Sequence, residues 1–403
     1  MKRNIYIGMS FVALLITMVV GQVVLEKPTA AQRQGRVQTP RFEVDPLWPK
    51  PLPNHWVLGS VTGVAVDARD HIWIVHKGAD SLANNEKGGI LNPPTGCCVP
   101  APQVLEFDQA GNLISYWGGP GEGFDWPQTT GGMTVDHKGN VWIAAAGQSD
   151  VAAGRGRAGA PSAPPRQPCA HVIKFSRAGR FLLQIGRAGR VEGNDSKTGL
   201  NRPAGIEVDP ATNEVYIADG FGNRRVAVFD ADTGAYKRHW GAYGDKPDDA
   251  NLGPYDPNAP PAKQFRTVSC VAISKDGLVY VCDRQNNRIQ VFHKDGKFIK
   301  EAFVSKMTLG DGAVWDIAFS HDPQQRFLYV ADGHDKKVFI LQRDTLEVLT
   351  SFGSGGRQPG QFYGVGSIAV DSKGNIYTGE TYEGKRVQKF IYKGLGTVPS
   401  QNR

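Results

Sequence analysis

The chain has 403 residues, of which 40% are hydrophobic and 21% charged, with a formal net charge of +7. That supply of apolar side chains can fill a buried core, which excludes a globally disordered chain. The positive excess falls to +5 without Lys2 and Arg3 and is scattered among Asp and Glu, which excludes a nucleic-acid surface as the main role.

The N-terminus reads as an export signal: Lys2 and Arg3, then an apolar stretch from Ile5 to Leu25 without a charge, then polar sequence. Thr29-Ala30-Ala31 offers small residues for cleavage, yet the apolar run is long enough to cross a hydrocarbon layer of about 30 Å, so a cleaved leader and a retained anchor are both open. In either form the two cations keep the N-terminus inside and send the rest out. The expected location is periplasmic, extracellular or anchored to the outer side of the cytoplasmic membrane, with a retained N-terminal segment as the one membrane contact. Residues 1–31 are read as leader or anchor and 32–40 as linker.

Six hairpins follow, each an apolar strand, an acidic or Ser turn and a second strand with an aromatic. They are GVAVDARDHIWIVH from Gly63, GMTVDHKGNVWIAA from Gly132, GIEVDPATNEVYIAD from Gly205, CVAISKDGLVYVCD from Cys270, DIAFSHDPQQRFLYVAD from Asp316 and SIAVDSKGNIYTGE from Ser367. A third strand follows every hairpin, and a fourth follows five of them; the sixth unit runs out in LGTVPSQNR. The turn residues Asp67, Asp136, Asp209, Ser274, Ser320 and Asp371 are spaced by 69, 73, 65, 46 and 51, so the later units approach a blade period and the first three carry insertions. Four-stranded units repeated radially make a β-propeller. The sixth unit would leave a sticky edge. The extended segment Arg41 to Asp45, upstream of the first hairpin, can close the ring as its outer strand. The fold class is all-β, a six-bladed propeller over residues 41–394 with a tail at 395–403.

The unit resembles the NHL repeat, seen most fully in VYVCDRQNNRIQVFHKDGKF from Val279, and the resemblance runs from about Phe42 to Tyr392. In such blades the loops from second to third strand, and from the fourth strand to the next blade, share one face. All the long insertions here belong to that class, so the loop-rich face is the default site. The ends of the second strands bring polar residues to it. Asp219, Asp283, Asp332, Arg225 and Arg288 recur by blade and read as scaffold, whereas Lys77, Arg284, His334, Glu380 and Tyr382 do not recur and are the ligand-binding candidates. For Arg284 the competing role is a bridge between blades through Asp283 or Asp219.

Two stretches, VYIADGFGNRRVAVF from Val215 and VYVCDRQNNRIQVF from Val279, with VTGVAVDARDHIWIVHKGAD from Val61 as a weaker third, resemble the peptidyl-α-hydroxyglycine α-amidating lyases. That resemblance implies a zinc ion on three histidines, each at the start of an innermost strand, with a tyrosine and two arginines near the substrate. In this sequence the histidine positions fall at about Gly131, Ser269 and Gly366, the tyrosine at Phe221 and one arginine at Lys77; only Arg284 matches. Zinc needs three or four converging N, S or O ligands, and the nine histidines show no HxxxH or HxH spacing. No GxSxG elbow and no paired carboxylates stand out. No cofactor is expected.

Five cysteines in an exported chain favour disulfides with one thiol left over. Antiparallel pairing about the turn at Ser274 sets Cys270 opposite Cys282. Cys97, Cys98 and Cys169 precede the third strands of adjacent blades, so Cys169 is expected to pin its loop to Cys98 or Cys97.

The sequence therefore reads as a monomeric, exported binding propeller without catalytic residues. Lys77 and Arg284 would hold a small anionic or peptide ligand, with aromatic contact from Phe221 and Tyr382. A protein partner on the loop-rich face is the other binding role. The alternative is a diverged lyase or hydrolase with a relocated metal site drawn from His76, His334, Asp332 and Glu380.

Overall fold

The computed structural model describes residues 36–147 and 168–399. The expected leader, and most of the insertion between Gly147 and Cys169, lie outside the described residues.

Six four-stranded antiparallel sheets form, one per repeat. Their innermost strands are Val61–Val66, Thr130–Val135, Gly205–Asp209, Val268–Ile273, Asp316–Phe319 and Val365–Val370, here blades I to VI. Each hairpin is set by its turn residue. Asp67 Oδ1 accepts the amides of Arg69 and His71, Asp136 Oδ1 those of Lys138 and Asn140, and Asp371 Oδ1 those of Lys373 and Asn375. The second carboxylate oxygen takes the polar tip of the aromatic on the second strand: Trp73 and Trp142 Nε1, and the Tyr377 hydroxyl, each at 3.0 Å. One short acidic residue thus stabilises the turn and anchors a buried ring.

Apolar residues of neighbouring blades pack face to face; Trp142 and Val172 of blade II, for example, share a buried cluster with Ile206, Ile217 and Phe229 of blade III. Blade VI is completed as the repeat count requires. The strand Arg36–Asp45 pairs with Val387–Pro399 as its outer member. Phe42 locks it, its ring 5.5 Å from Tyr329, 5.3 Å from Phe352 and 6.0 Å from Tyr392, with Lys393 paired to Glu43 at 3.1 Å.

Three features depart from the expected layout. The final strand continues to Pro399 instead of leaving a tail from residue 395; Arg36–Thr39 and Leu395–Pro399 belong to a separate compact unit, in which Gln38 donates to Thr397 Oγ1 at 2.8 Å. A short parallel pair, Trp56–Val57 with Val99–Pro100, braces the first insertion. The third concerns the cysteines. Cys270 and Cys282 are bonded across directly paired positions, but Cys97 is bonded to Cys98, and Cys169 is a buried free thiol. The expected Cys98–Cys169 bridge does not form, because Cys169 is held by backbone bonds to Gly147 and Arg202, whereas Cys98 bonds through its carbonyl to Gly89 in the blade I insertion.

Phe42→Ala is expected to destabilise the protein by roughly 2–4 kcal/mol, since it empties an aromatic contact that seals the last blade. Urea unfolding followed by tryptophan fluorescence checks this, and a cost below about 0.5 kcal/mol, within the range of an ordinary surface substitution, would show that the strand does not close the ring.

Candidate functional site

The innermost strands begin on the loop-rich face and line a central channel of about 780 Å³. Counting five residues back from each turn residue gives the ring nearest the mouth: Thr62, Gly131, Ala204, Ser269, Trp315 and Gly366, all lining the channel. Three of these are the positions where the resemblance places zinc ligands. Gly131 and Gly366 have no donor side chain, and the Ser269 hydroxyl is spent on the Val314 carbonyl at 3.0 Å. The residues present do not fit that metal.

Cations and aromatics occupy the mouth instead. Lys77, Arg284, Phe221 and Tyr382 line the channel as the sequence suggested, joined by Arg202 and Trp315, which it did not single out. The Arg284 guanidinium lies flat on Trp315, 3.5 Å from the ring centroid, and its side chain is only 11% exposed. It reaches the loop before blade V, where Nε donates to the Asp311 carbonyl at 2.7 Å and a contact to the Asp311 carboxylate is long at 3.4 Å, and it also bonds the Tyr382 hydroxyl. Arg284 therefore does not bridge blades through Asp283 or Asp219, which are claimed by Arg288 and Arg225. Tyr382 donates to Asp311 at 3.2 Å and packs its ring 6.0 Å from Trp315. Arg202 donates to the Phe221 carbonyl at 2.8 Å, but its Nε is buried without a partner among the described residues. Arg202 and Tyr382 both sit in the left-handed backbone region, at φ 58° and 52°, conformations that side-chain-bearing residues adopt only where surrounding structure imposes them.

His334 and Glu380 do not join this group. Glu380 is fully buried, paired with Arg386, and accepts the Tyr363 amide at 2.6 Å. It is the blade VI counterpart of Asp219 and Asp283. His334 is exposed beside blade V and does not line the channel. The relocated metal site fails too: both His76 nitrogens are used, Nδ1 accepting the amides of Gly59 and Gly78 and Nε2 facing the Pro102 carbonyl at 2.9 Å. Burial holds its pKa down to about 4, so the ring is neutral. Asp67, His71 and Glu106 do cluster, but at the turn end, where Arg177 bonds all three.

Deeper in the channel, two residues back from each turn, stand Ala65, Thr134, Glu207, Ala272, Ala318 and Ala369. Glu207 is the one large side chain and the one acid in that ring. Burial pushes its pKa up to about 8, and the nearby Asp316 adds to this; burial likewise raises Asp316 to about 7, against the amides of Ile368 and Ile317 that favour its charge. Both side chains keep partial contact with the open channel.

The NHL repeat family model matches residues 200–229 and 265–292, which are blades III and IV. Peptidyl-glycine alpha-amidating monooxygenase B of Xenopus laevis is 28% identical over 283 residues, covering 69% of this chain and 27% of that protein. NHL repeat-containing protein 3 of Mus musculus is 25% identical over 334 residues, covering 79% and 73%. Among solved structures, a structural-genomics protein from Bacteroides thetaiotaomicron superposes with a TM-score of 0.50 at 12% identity, over 89% of this chain and 76% of that one, a likeness of fold alone. The chain is a six-bladed propeller in which the NHL repeat matches within blades III and IV. It is homologous to the peptidylglycine α-amidating enzymes and to NHL repeat-containing proteins, and spans about 27% of the length of the amidating enzyme first named.

The channel acids give the fold a pH dependence. Between the unfolded carboxyl values near 4 and the raised folded ones, the native state holds more protons than the unfolded chain, so these groups lower stability as pH rises from about 5 to 8. Glu207→Gln, which cannot ionise, is expected to flatten that fall. Melting temperature against pH for both proteins checks it; parallel curves would contradict the assignment.

Proposed function

We propose that this is an exported binding propeller that holds a small anionic or peptide-like ligand at the channel mouth and does not process it. The observation that carries the reading is the exchange at the mouth: three cationic side chains, Lys77, Arg202 and Arg284, line an opening whose would-be metal positions are Gly131, Ser269 and Gly366. Arg284 is pre-set for a planar anion. Its guanidinium is stacked on Trp315, with the Tyr382 hydroxyl beside it, and the one carboxylate paired with it among the described residues is Asp311, 51% exposed and at 3.4 Å, which an incoming carboxylate can displace at little cost. Arg202 adds an unused buried donor, and such a donor favours a ligand that satisfies it. Phe221, Trp315 and Tyr382 supply flat apolar surface for the body of the ligand. Relatives named for peptide amidation support a peptide-like body. The chemistry of those relatives is not carried over, because the donor set it is expected to need is missing.

The test compares short peptides ending in a free carboxylate with the same peptides ending in an amide, by calorimetry and thermal shift. The carboxylate forms are expected to bind more tightly. Arg284→Ala is expected to cost roughly 2–5 kcal/mol of that binding, and Arg202→Ala somewhat less, the range for removing one partner of a desolvated charged pair. Equal binding of acid and amide, or an Arg284→Ala protein that melts lower yet binds as before, would assign Arg284 to the scaffold and remove the anionic site.

A further inference from the structure

The corner where the second strand ends is built alike in blades III and IV. In blade IV, Asp283 Oδ2 receives two donors, Asn286 Nδ2 at 2.7 Å and Arg288 Nε at 2.8 Å. In blade III, Asp219 Oδ2 receives Asn223 Nδ2 at 2.7 Å and Arg225 Nε at 2.9 Å. Each buried carboxylate is thus neutralised by one guanidinium and capped by one amide.

Blade V keeps the carboxylate and lacks both donors. Asp332 lies opposite Lys337 as Asp283 lies opposite Arg288, and it is 0% exposed. Its Oδ1 accepts the amides of His334 and Asp335, but its Oδ2 is buried without a partner among the described residues. At the place of Asn286 stands Asp335, an acceptor, whose side chain faces Asp332. Ser305 Oγ and Thr308 Oγ1 donate to Asp335 Oδ2 at 2.8 and 2.9 Å and fix its direction. At the place of Arg288 stands Lys337, which makes no ion pair with Asp332. Two carboxylates therefore meet, Asp332 fully buried and Asp335 half-buried, and neither has a salt bridge among the described residues. Burial, with Asp335 close by, pushes Asp332 up to about 8.

We infer that a calcium ion binds between Asp332 and Asp335, taking in blade V the place that an arginine and an asparagine side chain take in blades III and IV. Two carboxylates balance a charge of two, and the donors here are oxygens throughout, the class that calcium takes in numbers of six to eight and at variable geometry, with water completing the shell. Zinc would want nitrogen or sulfur. Asp332 and Asp335 do not line the channel, although Arg284 at the mouth is near enough to Asp332 to interact with its charge.

The full chain, dialysed against chelator at neutral pH and titrated with calcium chloride, tests this. One calcium per chain by calorimetry and a rise in melting temperature with calcium, larger than with magnesium, are expected. Asp335→Asn/Lys337→Arg rebuilds the blade IV donors; it is expected to fold without calcium and to lose the response at least tenfold in affinity. Asp335→Asn alone should weaken calcium binding likewise and serves if the double variant does not fold. A wild type that neither binds calcium nor gains stability at millimolar concentration would mean the two carboxyls share a proton instead. Undiminished calcium binding in Asp335→Asn would place the ion elsewhere. Either result overturns the inference.

Discussion

Much of this propeller hangs on one contact at the end of the second strand, made by a carboxylate in blades III, IV and VI. There an acceptor side chain takes the backbone amides of the loop arriving from the previous blade: Asp219 takes Asn201, Asp283 takes Arg266, and Glu380 takes Tyr363 and Gly364. Those amides lie wholly or partly buried at the entry to the innermost strand, where a buried donor left without a partner is costly. The remaining carboxylate oxygen is neutralised by an arginine that starts the third strand, and that arginine in turn collects loop carbonyls; Arg225 binds those of Asn194, Ser196 and Gly199. A buried ion pair of this kind adds little by itself, since desolvation offsets the Coulomb gain. Removing one partner, however, leaves a buried charge at a cost of about 3–5 kcal/mol.

The same position is filled differently in the other blades, and each change has a consequence. Blade I uses His76, neutral because burial lowers its pKa, so that Nδ1 can accept the Gly59 amide. Blade II has Ala145 there and keeps the backbone bond from the Ala146 amide to the Thr129 carbonyl, whose counterparts blades I, IV and VI also make. Blade V retains the acid but not its arginine. Where the contact is made it holds the entry to the inner strand, and so helps to set the ring of residues around the channel mouth. The loop-borne cations are placed by rigid corners, as a binding site on a propeller requires.

The repeats were legible because period-two alternation and an acidic turn recur six times, and closure by the strand at Phe42 followed from the fourth strand missing in the last unit. The mouth was legible in part. Lys77, Phe221, Arg284 and Tyr382 were found through second-strand ends and resemblance, whereas Arg202 lies in an inter-blade loop with no periodicity to mark it. Trp315 and Glu207 carried a usable signal that only register reveals: each is the large residue in a ring otherwise made of small ones. Glu380 was misread as singular because Glu replaced Asp, although Arg386 kept the partner of the repeat. The bond between Cys97 and Cys98 had no counterpart in any strand pairing, so spacing pointed Cys98 to Cys169 instead.

This scaffold presents cations at its channel mouth where the resemblance to amidating enzymes would place a metal. The most direct measurement is the zinc content of the purified protein after equilibration with excess zinc and removal of loosely held ions, paired with an assay for cleavage of a peptidyl-α-hydroxyglycine. Far less than one zinc per chain and no cleavage are expected, because Gly131, Ser269 and Gly366 supply no ligand. One tightly held zinc per chain, lost together with activity when residues of the mouth are altered, would contradict it.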